Sequence, residues 1–352
     1  MKKIIYLSRH IKSITGGHKY NDAFVAYLEK LSGIEIQSTP ACAQKYKRWR
    51  KFISPFAELK YLNYFCKDTV VLFMDSTYKY HLLLAWVNKY FYHAKTTMIV
   101  HHFPFIGGSG IAWHINKWIM CKYTALMDSI IVPSPYTLDV AKSLFPSKKI
   151  FYVPLPFEHK YKKSSNYEMG NLLYVGTIEE RKGLTYLIDA ISMLDNKTSV
   201  KLNIVGKVVD RVYYDKLKQQ ISVAGLTGTV EFLGRVTDQT LAECYKKAEI
   251  FTFPSLLEGY GIVLIEAFYN GLPIICFDNT AMTYTVKDGI NGFVVKNKDA
   301  KDMASKIQFL MGNISLREKL QEGIEDTVMH LKVQKDFEKG IGIVWKYLVN
   351  PL

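Results

Sequence analysis

Pro254-Ser255-Leu256-Leu257-Glu258-Gly259-Tyr260-Gly261-Ile262-Val263-Leu264-Ile265-Glu266-Ala267, running on to Asn270-Gly271-Leu272-Pro273, is the stretch around which the chain is organised. Residues 250–253, Ile-Phe-Thr-Phe, form a short β-rich apolar run in front of it, as a buried parallel strand does. Residues 262–269 behind it predict an apolar helix closed by Gly271 and Pro273. Between the two lies Glu258-Gly259-Tyr260-Gly261, whose glycines let the backbone approach a ligand while the helix start offers free N–H groups to an anion. Glu258 then sits in the loop at the strand's carboxyl end and Glu266 about one turn inside the helix. Two acceptors flanking an anion site suit a ligand with hydroxyls on both sides of a phosphate, such as a nucleotide sugar. The plain alternative is a strand–loop–helix unit with solvated glutamates.

These residues resemble the Glu-x7-Glu signature of the retaining glycosyltransferases of family 4. Ser255, Glu258-Gly-x-Gly, Glu266-Ala and Gly271-x-Pro273 all match together. The resemblance implies the α/β GT-B fold, two Rossmann-like doubly wound domains facing across a cleft. In that family a nucleoside diphosphate sugar is the donor.

Composition bounds the remaining choices. The 352 residues allow about two domains with cores of their own, and 49% hydrophobic content excludes a disordered chain. The net charge of +14 is lopsided: residues 1–156 hold 21 Lys and Arg against 8 Asp and Glu, and the remainder 25 against 24. A basic first half implies a polyanionic partner, either an anionic membrane surface, nucleic acid or a phosphorylated substrate, unless it reflects only a lysine-rich genome. Five scattered cysteines without CxxC spacing predict reduced thiols in a cytoplasmic protein and no structural zinc. The first residues read as a strand, not a signal peptide, and no run approaches the ~18 apolar residues of a membrane span.

Strand-like and helical runs alternate along the chain, the pattern of doubly wound α/β domains. A strand at 4–8 is followed by a loop with Thr15-Gly16-Gly17 and an amphipathic helix to about Leu31. The resemblance puts Gly16 and Gly17 against the donor diphosphate. Residues 45–53 interleave five cations with Tyr46, Trp49 and Phe52, and predict an interfacial helix; a core-packed helix or an RNA-binding patch are the alternatives. Strands at 70–74 and 97–100 follow, the second running into His101-His102. His101 matches a family histidine that hydrogen-bonds the donor sugar, while His102 stands where many relatives have aspartate. Gly107-Gly108-Ser109-Gly110 supplies a loop before the helix of Trp113 and Trp118. Val132, Ser134 and Thr137 resemble the family's Val-x-Ser-x-x-Thr segment.

A strand at 150–153 closes the first domain, and a polar, proline-bearing run predicts a linker. The expected organisation is an acceptor-binding domain at 1–156, onto which a final helix at about 333–352 packs back, a linker at 157–168, and a nucleotide-sugar domain at 169–332. The second domain opens with a strand at 172–175 and Gly176-Thr177-Ile178-Glu179-Glu180-Arg181-Lys182-Gly183. Many relatives have arginine directly after the first glycine, where this chain has Thr177, but Arg181-Lys182 fit a sub-pattern of the family. Two cations at a helix start neutralise charge on a departing diphosphate. Strands at 202–206 and 230–233 follow, with Lys207 where a small or acidic residue is expected. Gly234-Arg235-Val236 sits where relatives hold the base. Asp288-Gly289-Ile290-Asn291-Gly292 predicts a turn between short strands.

The resemblance and these residues together predict a retaining, metal-independent glycosyltransferase of the hexosyltransferase type, with no cofactor. His101, Glu258, Arg181 and Lys182 are the expected catalytic residues. Gly16, Gly17, Arg235, Val236, Gly259, Tyr260, Gly261, Ile262, Val263 and Glu266 are the expected donor contacts. The partners expected are a nucleotide-sugar donor, a lipid-linked or saccharide acceptor and an anionic membrane surface, with no nucleic acid. The setting is cell-surface polysaccharide or glycolipid assembly, cytoplasmic and peripheral on the inner membrane face. Rival readings are a nucleotide-sugar epimerase on the same fold, which would need a pair of acid/base carboxylates, and a non-catalytic basic scaffold on the membrane.

Overall fold

The computed structural model describes residues 3–8, 16–40, 56, 58–74, 77–103, 105–106, 110–156, 161–162, 166–196, 199–331 and 334–350. The interfacial helix expected at 45–53, Asp75-Ser76, and Gly107-Gly108-Ser109 lie outside them. The chain divides into two compact units, Met1–Glu158 with Lys332–Leu352, and His159–Leu331.

Unit 1 is a six-stranded parallel sheet, β1 (Lys3–Ser8), β2 (Ile36–Pro40), β3 (Thr69–Met74), β4 (Lys95–Ile99), β5 (Ser129–Val132) and β6 (Lys149–Tyr152), ordered β2-β1-β3-β4-β5-β6. All six residues of β3, Thr-Val-Val-Leu-Phe-Met, are buried, as a parallel strand covered on both faces requires. Helix Gln334–Val349 returns to this unit and packs on helix Gly16–Ser32 and on β6. The ring of Phe337 lies 6.1 Å from that of Tyr20 and 5.9 Å from that of Tyr27. Gly340 meets Val153, so closely that a Cβ there would stand 3.2 Å from it. The Tyr20 hydroxyl donates to the Val153 carbonyl at 2.9 Å.

Unit 2 is a second parallel sheet, β7 (Asn171–Val175), β8 (Lys201–Val205), β9 (Val230–Gly234), β10 (Ile250–Phe253), β11 (Ile274–Phe277) and β12 (Gly292–Val295). Its order, β12-β11-β10-β7-β8-β9, runs outward from β7 to β9 and then restarts on the other side with β10. That is the Rossmann order, and the loops after β7 and β10 diverge at the point where it reverses.

Three sequence expectations change. Gly16 and Gly17 are the first residues of helix Gly16–Ser32 instead of a loop. Part of the expected linker is packed on unit 2: the Lys162 and Glu168 N–H groups donate to the Tyr269 and Lys247 carbonyls, each at 2.8 Å. The turn at Asp288 follows a one-turn helix, Met282–Thr285, and not a strand.

All five tryptophans, Trp49, Trp86, Trp113, Trp118 and Trp345, belong to unit 1, so their fluorescence reports its unfolding alone. Phe337→Ala should remove about 3–5 kcal/mol from that unit. Urea denaturation followed by tryptophan fluorescence would show a lower midpoint; an unchanged midpoint would mean that the last helix contributes nothing to the unit 1 core.

Candidate functional site

The loops after β7 and β10 meet through a lysine and a glutamate. Lys182 ends a 3-10 turn, Glu180–Lys182, is only 7% exposed, and its Nζ donates to Glu258 Oε1. Glu258 also accepts from Ser255 Oγ at 3.0 Å and has Arg181 Nη1 at 3.5 Å. Arg181 reaches on to Glu179 at 2.9 Å and donates to the Leu257 carbonyl at 3.1 Å. Burial opposes the charge on Glu258, but Lys182, Arg181 and the hydrogen bonds from Lys182 and Ser255 outweigh it and hold the carboxyl below its ordinary range. The loops are also tied by backbone, since Leu256 N–H donates to the Arg181 carbonyl at 2.8 Å. Gly183 makes this approach possible: its φ is +65°, and a Cβ would collide with the Pro254 carbonyl.

Gly261 caps helix Ile262–Tyr269 in the left-handed region, φ +74°. The helix therefore begins at Ile262 and Val263, directly after the Glu258-Gly259-Tyr260-Gly261 loop. Glu266, in the second turn, accepts from the Tyr245 hydroxyl at 2.9 Å. Burial, then the charge of Glu266, pushes the Tyr245 hydroxyl far above its usual value, so it stays a donor. Arg235 and Val236 follow β9, three strands from β10, about 14 Å along the carboxyl edge of the same sheet. Thr177, in the place of the family's arginine, donates to Glu179 at 2.6 Å.

In unit 1 the structure gathers Gly17, Asn21 and His101. His101 Nε2 is 2.9 Å from Asn21 Oδ1, its ring stands edge-on to Tyr20 at 5.4 Å, and a Cβ on Gly17 would touch that ring at 3.4 Å. Ser134 caps helix Pro135–Leu144 through the Thr137 N–H at 3.0 Å, and Thr137 Oγ1 donates to the His101 carbonyl at 3.2 Å. The Val-x-Ser-x-x-Thr segment therefore holds the histidine's backbone in place. Sequence reasoning missed this link, together with Asn21, Glu179 and Tyr245. Only the sidedness of Tyr245 and Glu266 in a strand–helix–strand unit could have pointed to their contact.

The sequence profile of the family described as glycosyl transferases group 1 matches residues 157–327. This stretch is a group 1 glycosyltransferase domain. Among curated relatives of the group 1 domain, the O-antigen chain mannosyltransferase B of Escherichia coli is 29% identical over 164 residues, 47% of this chain and 42% of the relative. The matches span about two fifths of the length of such relatives, 37%, 42% and 39% in three of them. Solved structures match over almost the whole chain, and two of them serve as examples. Sucrose-phosphate synthase from Thermosynechococcus elongatus has a TM-score of 0.81 at 17% identity, covering 99% of both chains. HepE from Anabaena, in complex with UDP and glucose, has a TM-score of 0.75 at 15% identity, covering 99% of this chain and 100% of its own. The fold is GT-B, and the group 1 domain is its second unit.

Two outcomes follow for the group 1 domain. The folded pKa of Glu258 lies below that of an unfolded glutamate, about 4.3, so its charge stabilises the domain above that pH. This contribution is lost as pH falls through the folded value. Calorimetry of Glu258→Gln should show a lower melting temperature at pH 7 for the transition that tryptophan does not report, and a smaller further loss between pH 5 and 3 than in wild type. An equal acid loss in both would exclude Glu258 as its source. Gly183→Ala should lower the same transition by about 1 kcal/mol or more, from the left-handed backbone alone. An unchanged melting temperature would mean that the loop shifts freely.

Proposed function

We propose that this chain is a retaining, metal-independent hexosyltransferase that moves a sugar from a nucleoside diphosphate sugar to a lipid-linked or saccharide acceptor in polysaccharide or glycolipid assembly. The observation that carries the reading is the cluster at the topological switch point of unit 2. There Lys182 and Arg181 meet Glu258, and helix Ile262–Tyr269, which carries Glu266, starts four residues after that glutamate. HepE, described with UDP and glucose, is a neighbour of the same fold, and this supports the ligand class.

In the proposed reaction the acceptor oxygen bonds to the anomeric carbon as the bond from that carbon to the donor phosphate oxygen breaks. The acceptor's proton passes to the departing phosphate. No side chain serves as a nucleophile, so the protein's contribution is electrostatic and positional. Lys182 spends one of its three N–H donors on Glu258, leaving the others for the diphosphate. Glu258, held ionised, accepts from a sugar hydroxyl, and Glu266, steadied by Tyr245, accepts from the ribose. Gly259 and Tyr260 shape the approach, and Arg235 and Val236 meet the base. A carboxylate kept ionised beside a lysine is a poor proton donor, which counts against an epimerase.

Thermal stabilisation by UDP, GDP, ADP and their sugars, measured in EDTA, tests the donor site. A ligand at a hundredfold excess over its Kd adds about 2.7 kcal/mol to the native state. A shift with one base family, kept in EDTA and lost in Glu266→Ala, is expected. No shift with any nucleotide would overturn the reading, and a shift that needs divalent metal would overturn its metal-independent part.

A further inference from the structure

Unit 1 carries an exposed apolar face that neither the donor chemistry nor the fold uses. Helices Tyr78–Val87 and Ile111–Leu126 follow the adjacent parallel strands β3 and β4 and pack side by side. Successive right-handed crossovers place both on one face of the sheet, starting at its carboxyl edge. Their inner sides supply the core through Leu84, Ala85, Met120 and Tyr123.

The outer sides are the anomaly. On helix Ile111–Leu126 the solvent stripe at i, i+4, i+7 and i+11 is Ile111, Ile115, Trp118 and Lys122, with Ile111 82% and Trp118 60% exposed. A surface helix ordinarily turns polar residues outward. On the neighbouring helix Trp86 is 46% exposed, and the π-helical turn after it, Asn88–Tyr92, adds Tyr90 and Phe91, the latter 67% exposed. Trp86 meets both of these rings at a tilt, its centre lying 5.2 Å from that of Tyr90 and 6.1 Å from that of Phe91. Trp86 and Trp118 lie eight and seven residues into two helices that pack on each other. Contiguous exposed apolar surface of this kind marks an interaction site.

Charge selects the partner. From Thr77 to Met127 the chain has five lysines and not one aspartate or glutamate. Lys122 lies 6.0 Å from the Trp118 ring centre, and Lys117 5.1 Å from that of Trp113. Aromatic rings interleaved with lysines suit the boundary between headgroups and acyl chains, and Asp128, just past this stretch, is mostly buried and paired with Lys89 at 3.0 Å. Among the described residues no helix is long and apolar enough to cross a membrane, so the contact would be made from one side.

We propose that the paired helices Tyr78–Val87 and Ile111–Leu126, through Trp86, Tyr90, Phe91, Ile111, Ile115 and Trp118, form a docking face for an anionic lipid bilayer. This face includes none of residues 45–53, and the inference does not rest on the donor reading. The test is co-sedimentation of the full chain with phosphatidylcholine vesicles, with and without about 30% phosphatidylglycerol. These vesicles contain no sugar acceptor, so they report the surface and not acceptor recognition. Wild type should partition onto the anionic vesicles only, less so as salt rises. Trp118→Ser and the pair Trp86→Ser with Ile115→Ser should each lose about tenfold or more in partitioning, each tenfold corresponding to about 1.4 kcal/mol. Both variants should keep the wild-type nucleotide-induced shift, since none of these residues belongs to the proposed donor site, and Trp118→Ser, the more exposed position, should also keep the melting temperature.

No binding by wild type, equal binding to neutral vesicles, or full binding by both variants would overturn the proposal. Full binding by the variants would move the contact elsewhere. A wild-type dimer in light scattering that both variants abolish, without vesicle binding, would make the face a contact between copies of this chain and equally overturn it.

Discussion

The group 1 domain depends on a charge pair withdrawn from water. Lys182 and Glu258 come from the two loops that part where the strand order reverses, and each is the other's reason for being buried. Desolvating two ions is expensive, and only close contact with further hydrogen bonds offsets it. Ser255, Arg181 and the backbone bond from Leu256 to Arg181 provide these. Removing one partner would strand a charge at a cost of about 3–5 kcal/mol. The left-handed Gly183 belongs to the same constraint, because any side chain there would wedge the loops apart. The crevice is thus drawn together by the residues proposed to meet the ligand, so affinity and local stability are mechanically one property.

Much of this was readable from the chain, for identifiable reasons. Residues 250–253 and 262–269 came out with the bounds the structure gives, because a buried apolar strand, two glycines and a helix closed by glycine and proline each carry a local signal. The β2 strand gave no such signal. Ile36-Gln37-Ser38-Thr39-Pro40 is a sheet edge, polar and short, and its identity lies in pairing with β1 through register. The Gly16-Gly17 pair read as a loop because glycines weaken a helix interior, yet at a helix start they cost little, and Gly17 admits the His101 ring.

Side chains that act through another residue were the least visible. Thr137 holds the His101 carbonyl from 36 positions away, and Tyr245 steadies Glu266 from 21. Neither spacing is periodic: Thr137 lies in the first turn of a helix that meets His101 just past β4, and Tyr245 and Glu266 sit on two successive helices. Arg181 and Lys182 read as equivalent cations, whereas the structure separates them. Lys182 is enclosed against Glu258, and Arg181 stands in solvent, shared with Glu179 and the Leu257 carbonyl. The exposed rings on the paired helices hid for the opposite reason, since an apolar outer stripe has the same 3.6-residue period as a core-facing one.

The return of helix Gln334–Val349 to unit 1 has a consequence for how the protein is born. During synthesis, domains generally fold in the order they emerge. Here the first sheet is complete once β6 has been made, but Tyr20 and Tyr27 still lack Phe337, which emerges some 180 residues after Val153. The second unit needs nothing beyond its own contiguous stretch and can close while the first still has an open side. The later-made domain is therefore finished first, and on the ribosome the nascent chain waits with an unsealed apolar seam in its oldest part.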